Sequence, residues 1–519
     1  MSRQNGPVNA SSFSPPDPVR IDLRDAAAVY SACFDALREG REEEGIKLAE
    51  AALAHRPDEA RLHHVAGLLY RQIDENEAAI RHLDRAARLA PGDAGIAHAV
   101  ARAHLEGGLP SIALFRRALS LAPRDEDAMM GLIGATVRDR GPAAGLALIE
   151  EAVVRHPRWV AAQEMLAQLL WQNGHRAGYT RRLEATLAAD PRNLSLWRSL
   201  ISARINGEDL DGALEAVRAG RAAAGDHMLF DANEATCLAD LGATAEAEAR
   251  FARLGDAPGA AFQVHRVRHL LRTGRPAEAG ELALRFTDTP AGDMFWSYAS
   301  LAWRMIGDPR ALWLEGDPRL VGLYDLGDRI PSLDALAARL RTLHLWTHQP
   351  LVQSVRGGTQ TDGQLFPRIE PEIRSLRRAI AEAVAEHVAQ LPPPDPSHPV
   401  LSPRRDRRVR FAGSWSVRLA GGGRHVSHIH PMGWFSSAFY VVVPPPEARG
   451  PAPAGWLTLG EAPAELKLDL PPLRLVEPKP GRLVLFPSLM WHGTRPFEAG
   501  ERISVAFDVA RPPLYSPSQ

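Results

Sequence analysis

Apolar residues recur at helical spacing through the first three hundred positions, and at the two-residue spacing of strands toward the end of the chain. From Ala66 to Tyr70, at Ala78 to Ile80 and again at Ala86, Ala87 and Leu89, small and large apolar side chains line one face of successive helices. The alanines let paired helices approach closely. Proline interrupts the pattern at Pro57, Pro91, Pro123, Pro157 and Pro191, 32 to 34 residues apart, and Gly225, Pro258 and Pro290 continue the same spacing. Each interruption ends one helix and restarts the next. The pattern predicts seven to eight two-helix units between about residues 27 and 312. Farther on, Leu333–Leu343 and Ile369–Leu391 read as amphipathic helices, Pro392–Pro399 as a stiff surface connection, and strands begin near Val409.

A period of 34 residues is that of the tetratricopeptide repeat, whose helix pairs cannot bury their apolar faces alone and must stack on one another. The groove so formed commonly takes peptides or extended protein segments; the alternative role for the repeats is to dimerise the chain. At 519 residues the chain exceeds one ordinary core. The expected organisation is multidomain α + β: a disordered segment over 1–26, a repeat solenoid over 27–316, and a second domain over 317–519 with a helical lead-in at 330–391.

Composition narrows the partners. Lysine and arginine number 61 against 62 aspartates and glutamates, so no global field favours nucleic acid or membrane. The cluster Arg404–Arg410 is read as a solvated strand entry. Cys33 and Cys237 are the two cysteines, which suits a reducing compartment. No stretch approaches a membrane span and no apolar leader follows Met1, so a soluble, cytoplasmic protein is expected.

The chemistry concentrates after residue 420. On a strand, side chains two apart share a face, so His428 and His430 would aim into one cavity while His425 faces away. Gly421–Gly423 reads as a flexible turn ahead of that strand. The strand Gly481–Pro487 ends at a Pro-Ser turn, which lets a following short strand return His492 toward the first pair. Three imidazoles on one side of a metal leave positions open for oxygen and an organic cosubstrate, as in mononuclear Fe(II) oxygenases. On Glu501–Asp508, Arg502, Ser504 and Asp508 share one face, and a guanidinium beside a hydroxyl suits a carboxylate. The loop Pro444–Ala454 would border the mouth of this site.

With these residues in place, the chain resembles the 2-oxoglutarate and Fe(II)-dependent oxygenases of the double-stranded β-helix fold. It is more closely similar to bacterial members fused to tetratricopeptide repeats. The stretches that carry the likeness are Gln353–Thr361, His428–Pro431, Phe435–Tyr440 and Leu485–Ser488, within about residues 320–512. The resemblance implies a jelly-roll, cupin-like domain and makes His428 and His492 iron ligands. It also makes Arg502 and Ser504 binders of the distal 2-oxoglutarate carboxylate, with Tyr440 a further contact. Where most of the superfamily has Asp two residues after the first His, this chain has His430. The third position therefore falls to His430 itself, or to a water, with His430 supporting the ligands from behind.

The implied reaction is oxidative decarboxylation of 2-oxoglutarate to succinate with O2, coupled to hydroxylation of a C–H bond. A peptide-binding solenoid tethered to the catalytic domain would raise the local concentration of a protein or peptide substrate. Two alternatives stand beside this reading: a noncatalytic interaction protein with an inactive β-helix, and a three-His dioxygenase that does not use 2-oxoglutarate.

Overall fold

The computed structural model describes residues 21–255 and 259–512. Of the segment 1–26 expected to be disordered, residues 1–20 lie outside the described residues, as does the repeat landmark Pro258, while Asp25 caps a helix that begins at Ala26. Helices succeed one another in antiparallel pairs: α1 (Ala26–Arg38) with α2 (Glu42–His55), α3 (Ala60–Gln72) with α4 (Asn76–Leu89), α5 (Ala94–Glu106) then α6 (Ile112–Leu121). Next come α7 (Glu126–Arg140) with α8 (Pro142–Arg155), α9 (Val160–Gln172) then α10 (Arg181–Ala189), and α11 (Leu194–Asn206) with α12 (Leu210–Ala224). The series closes with α13 (Met228–Leu241) and α14 (Thr244–Leu254), α15 (Ala260–Arg272) and α16 (Pro276–Leu284), and α17 (Gly292–Ile306) and α18 (Arg310–Glu315).

The local causes are those expected of repeats. Asp25, Asp125, Asn193 and Asp209 cap α1, α7, α11 and α12 by accepting a backbone N–H of the first turn. Pro57, Pro123, Pro157 and Pro191 fall in the turns between one pair and the next. Small residues set the packing distance: a Cβ on Gly131 would lie 2.2 Å from Phe115.

The chain divides into two compact units at Ala103 and His104. In the first, Val29, Cys33, Ala52, Val65 and Leu69 form a core between α1, α2 and α3. In the second, the later helices and the β-sheets share one apolar core: Phe295, Tyr298 and Trp303 of α17 are buried with Leu489, Trp491 and Phe507. The Trp491 indole donates to the Ser297 carbonyl at 3.0 Å, and its ring meets Tyr298 edge-on at 5.2 Å.

The sheet region begins earlier than Val409. Strands β1 (Gly322–Asp325) and β2 (Val355–Gln360) precede β3 (Phe411–His425), and helices α19 (Leu333–Leu343) and α20 (Pro371–Gln390) flank them. Then follow β4 (Gly433–Val442), β5 (Leu457–Leu459), β6 (Arg474–Val476), β7 (Arg482–Pro487), β8 (His492–Thr494) and β9 (Arg502–Ala510). One antiparallel sheet has the order β1-β7-β4-β9-β3-β2 and the smaller one β6-β5-β8, the two-sheet arrangement of a double-stranded β-helix. Gly421–Gly423 are not a turn ahead of the ligand segment: they lie inside β3 at a bulge against β2. A Cβ on Gly357 would meet Gly423 Cα at 3.1 Å, so two backbones pass where no side chain fits.

Candidate metal centre

His428 and His430 do not sit on a regular strand. Regular pairing of β3 ends at His425, opposite the first residue of β2, and the chain then runs through Pro431 and Met432 into β4. An isolated antiparallel bridge takes over: His428 N donates to His492 O at 2.9 Å and His492 N to His428 O at 3.0 Å. His430 N donates to Ser488 O at 3.0 Å. The outcome expected of two strands is thus reached by one bridge and a loop.

Ring centroids of His428 and His492 are 4.2 Å apart, and His430 lies 5.0 Å from each. One ligand nitrogen from each imidazole falls within 4.8 Å of the others. The Nδ1 side of every ring is occupied: His428 by Val426 O at 2.8 Å, His492 by Met490 O at 2.9 Å, and His430 by Asp508 Oδ1 at 2.6 Å. Each bond fixes the tautomer with Nδ1 protonated, which leaves Nε2 as the candidate ligand atom of each ring. Burial holds His428 and His492 well below the usual imidazole range, with further lowering by neighbouring histidines, so both are neutral and ready to ligate. The Ser354 hydroxyl reaches His428 Nε2 and His425 Nδ1, both at 3.1 Å.

Beside this cluster lies a buried cation. Arg502 is 2% exposed, has Tyr440 5.0 Å under its guanidinium, and donates through Nη1 to Gly455 O at 3.1 Å, where the loop after Pro444 ends. Among the described residues it has no carboxylate partner, and its Nε has no acceptor. Burial lowers its affinity for a proton, with Tyr440 opposing that and Arg449 adding to it. Tyr440 Oη, Trp456 Nε1 and Thr458 Oγ1 are likewise buried without partners. A buried guanidinium without a carboxylate partner, with the orphaned Tyr440 beside it, is costly unless an anion completes it. Ser504 is buried on β9, its Cα opposite Tyr440 in the register of β4 and β9.

The structure therefore brings His428, His430 and His492 together, and holds Arg502, Tyr440 and Ser504 on the neighbouring strands β9 and β4 of the larger sheet. Sequence reasoning left Asp508, Ser354 and Ser436 without a role. Asp508 shares the Arg502 face of β9, which was the available signal; Ser354 precedes β2, whose pairing with β3 no local pattern announces. The donor set fits Fe(II): three imidazoles gathered together, no thiolate among them, and carboxylate support through Asp508.

Residues 413–508 match the sequence family described as "Putative 2OG-Fe(II) oxygenase". Over those residues the chain is similar to a 2OG-Fe(II) oxygenase domain, and the helical repeats precede it. Similar solved structures lie on the helical side. A mutant O-GlcNAc transferase of Thermobaculum terrenum is 26% identical over 26% of this chain and 28% of its own, with a TM-score of 0.24; the chain thus spans under a third of that protein. The MamA protein is 16% identical over 32% of this chain and 94% of its own (TM-score 0.28), and pilF of Pseudomonas aeruginosa 15% over 40% and 95% (TM-score 0.29). No curated protein matches the chain. Among the described residues no helix is long and apolar enough to cross a membrane.

Proposed function

We propose that this protein is a 2-oxoglutarate- and Fe(II)-dependent oxygenase that hydroxylates a protein or peptide substrate. His428, His430 and His492 would hold the iron, and Arg502, with Tyr440 and Ser504 beside it, the distal carboxylate of 2-oxoglutarate. The observation that carries the reading is the pairing of three tautomer-locked imidazoles with a buried guanidinium that lacks an anion. When bound, iron with O2 and 2-oxoglutarate supplies the oxidising power, the cosubstrate leaving as succinate and CO2.

The chain's own residues do the rest. Val426 O, Met490 O and Asp508 keep the imidazole protons on Nδ1, away from the ligand side. Arg502 and Tyr440 orient a dicarboxylate by charge and by a free hydroxyl donor, in a site dry enough for both to count. The unpaired guanidinium favours 2-oxoglutarate over a three-His dioxygenase that needs no such acid. Anaerobic titration with Fe(II) and then 2-oxoglutarate, followed by succinate measurement in air, tests the proposal. Iron binding with neither 2-oxoglutarate affinity nor succinate release would return the chain to the three-His alternative, and no iron binding to the noncatalytic one.

A further inference from the structure

A cleft of about 260 Å3 opens between α9 of the repeats and the β2–β3 edge of the sheet domain, lined by Gln168, Gln172, Gln353, Gln360, Gln364 and Trp415. Its two walls are fixed to each other. Gln172 O accepts from His348 N at 3.1 Å, and Leu351 is buried with Ala167 and Trp171 of α9. Farther along, Arg356 pairs with Glu208 at 2.9 Å.

This cleft meets the candidate metal centre through Trp415, and the residue after its lining Gln353 reaches it too. The Trp415 ring lies 5.4 Å from that of His430. Ser354, the neighbour of Gln353, is 3.1 Å from His428 Nε2. A chain lying in the cleft would therefore pass beside the candidate ligands His428 and His430.

The lining selects its ligand. Gln172 is 1% exposed and its Oε1 is buried with no donor, so it awaits an N–H from elsewhere. The side-chain amides of Gln168, Gln353 and Gln360 make no hydrogen bond within the described residues, whereas Gln364 is engaged by Ser414 N at 2.9 Å. No lysine or arginine lines the cleft, and its one acid, Asp362, accepts from the Trp346 indole. Amide groups that both donate and accept, without charge, complement a peptide backbone or another carboxamide and give a phosphate or a carboxylate no cation to offset its charge. The flat Trp415 face adds apolar contact for an extended segment.

We infer that the cleft is the substrate-docking site and that its occupant is an extended, uncharged segment of a protein substrate, read through its amides. The hydroxylation of that segment rests on the oxygenase reading; its binding does not. The test uses the full chain, both metal-free and loaded under argon with Fe(II) and 2-oxoglutarate, and three pools of fluorescent, end-blocked hexapeptides: uncharged and rich in Gln, Asn, Ser and Gly; acidic; and basic. Anisotropy should show the uncharged pool binding in both states and the charged pools at least tenfold more weakly. Gln172→Leu combined with Gln360→Leu should weaken binding at least tenfold, and Gln353→Ala, at an exposed side chain that cannot unsettle the fold, severalfold. Absence of binding by the uncharged pool, or binding indifferent to all three substitutions, would overturn the inference. Self-association abolished by Gln172→Leu would also overturn it, by assigning the cleft to a second copy of the chain. Glutamine-dependent binding in a protein that takes up no iron would sink the oxygenase reading alone, while iron uptake and succinate release without such binding would sink the cleft alone.

Discussion

His430 Nδ1 stands 2.6 Å from Asp508 Oδ1, and the same carboxylate oxygen accepts from the Ser436 hydroxyl at 2.6 Å. The position where most of the superfamily carries an anionic ligand is thus filled by an imidazole backed by an anion. Hydrogen bonding to a carboxylate raises imidazole basicity and fixes the ring, so part of the missing charge is delivered through the ring. Asp508→Asn should weaken Fe(II) affinity about 10- to 100-fold, the usual effect of removing such a support. His430→Asp restores the common ligand set and should retain iron. Equal iron affinity in Asp508→Asn and the unaltered protein, by anaerobic titration, would show that the pair is structural only.

The guanidinium of Arg502 should matter to the cosubstrate far more than to the metal. Removing one member of a buried, hydrogen-bonded charge pair costs about 2–5 kcal/mol, so Arg502→Ala should weaken 2-oxoglutarate binding about 30-fold or more. Arg502→Lys keeps the charge but not the planar fork and should recover only part of it. Calorimetry on the iron-loaded protein separates the outcomes: unchanged 2-oxoglutarate affinity in Arg502→Ala places the cosubstrate elsewhere.

What could be read along the chain was what is periodic or local. The prolines near 34-residue spacing marked the repeat turns, and His428, His492 and Arg502 announced themselves as a motif. Contacts made across long separations were silent. Asp508 reaches His430 from 78 residues away, and Ser354 reaches His428 from 74. Strands β1 and β2 are short, and β2 carries Gly357 and Gly358; their pairing with β7 and β3 supplies what their sequence lacks. The loop placement of His428 and His430 escaped for a related reason: spacing in sequence gives parity only if the strand continues, and β3 ends at His425, ahead of both.

The core shared by α17 and the sheets gives the two halves of the second unit a common fate. A chain starting at Asp317 would lose Phe295, Tyr298 and Trp303 and leave Trp491, with its indole donor, facing water. It should fail to melt cooperatively. In the full chain, Trp491→Ala should cost about 3–5 kcal/mol, the range for emptying a large aromatic from a core. A sharp thermal transition in the Asp317 truncation would mean that the β-helix does not need these helices.

Acid should destabilise the protein through histidines outside the metal centre. His387, on α20, is 2% exposed and lies 3.1 Å from Tyr324 Oη and edge-on to Phe435 at 4.9 Å. Burial lowers its pKa to about 4. An unfolded chain would titrate the same group near 6.5, so between about pH 6.5 and 4 the unfolded state binds the extra proton and stability falls as pH falls. The difference amounts to about 1–2 kcal/mol at pH 5 from this residue. His344, held by Thr359 and Ser416 and lowered to about 4 by burial and by Arg418, adds to it in the same direction. Denaturant midpoints at pH 7.5 and pH 5 should therefore differ, and His387→Gln, which has no proton to gain, should narrow the difference even if it lowers stability at both. A gap between the two pH values that His387→Gln leaves unchanged would mean that the neutral, buried imidazole is not what makes the fold acid-sensitive.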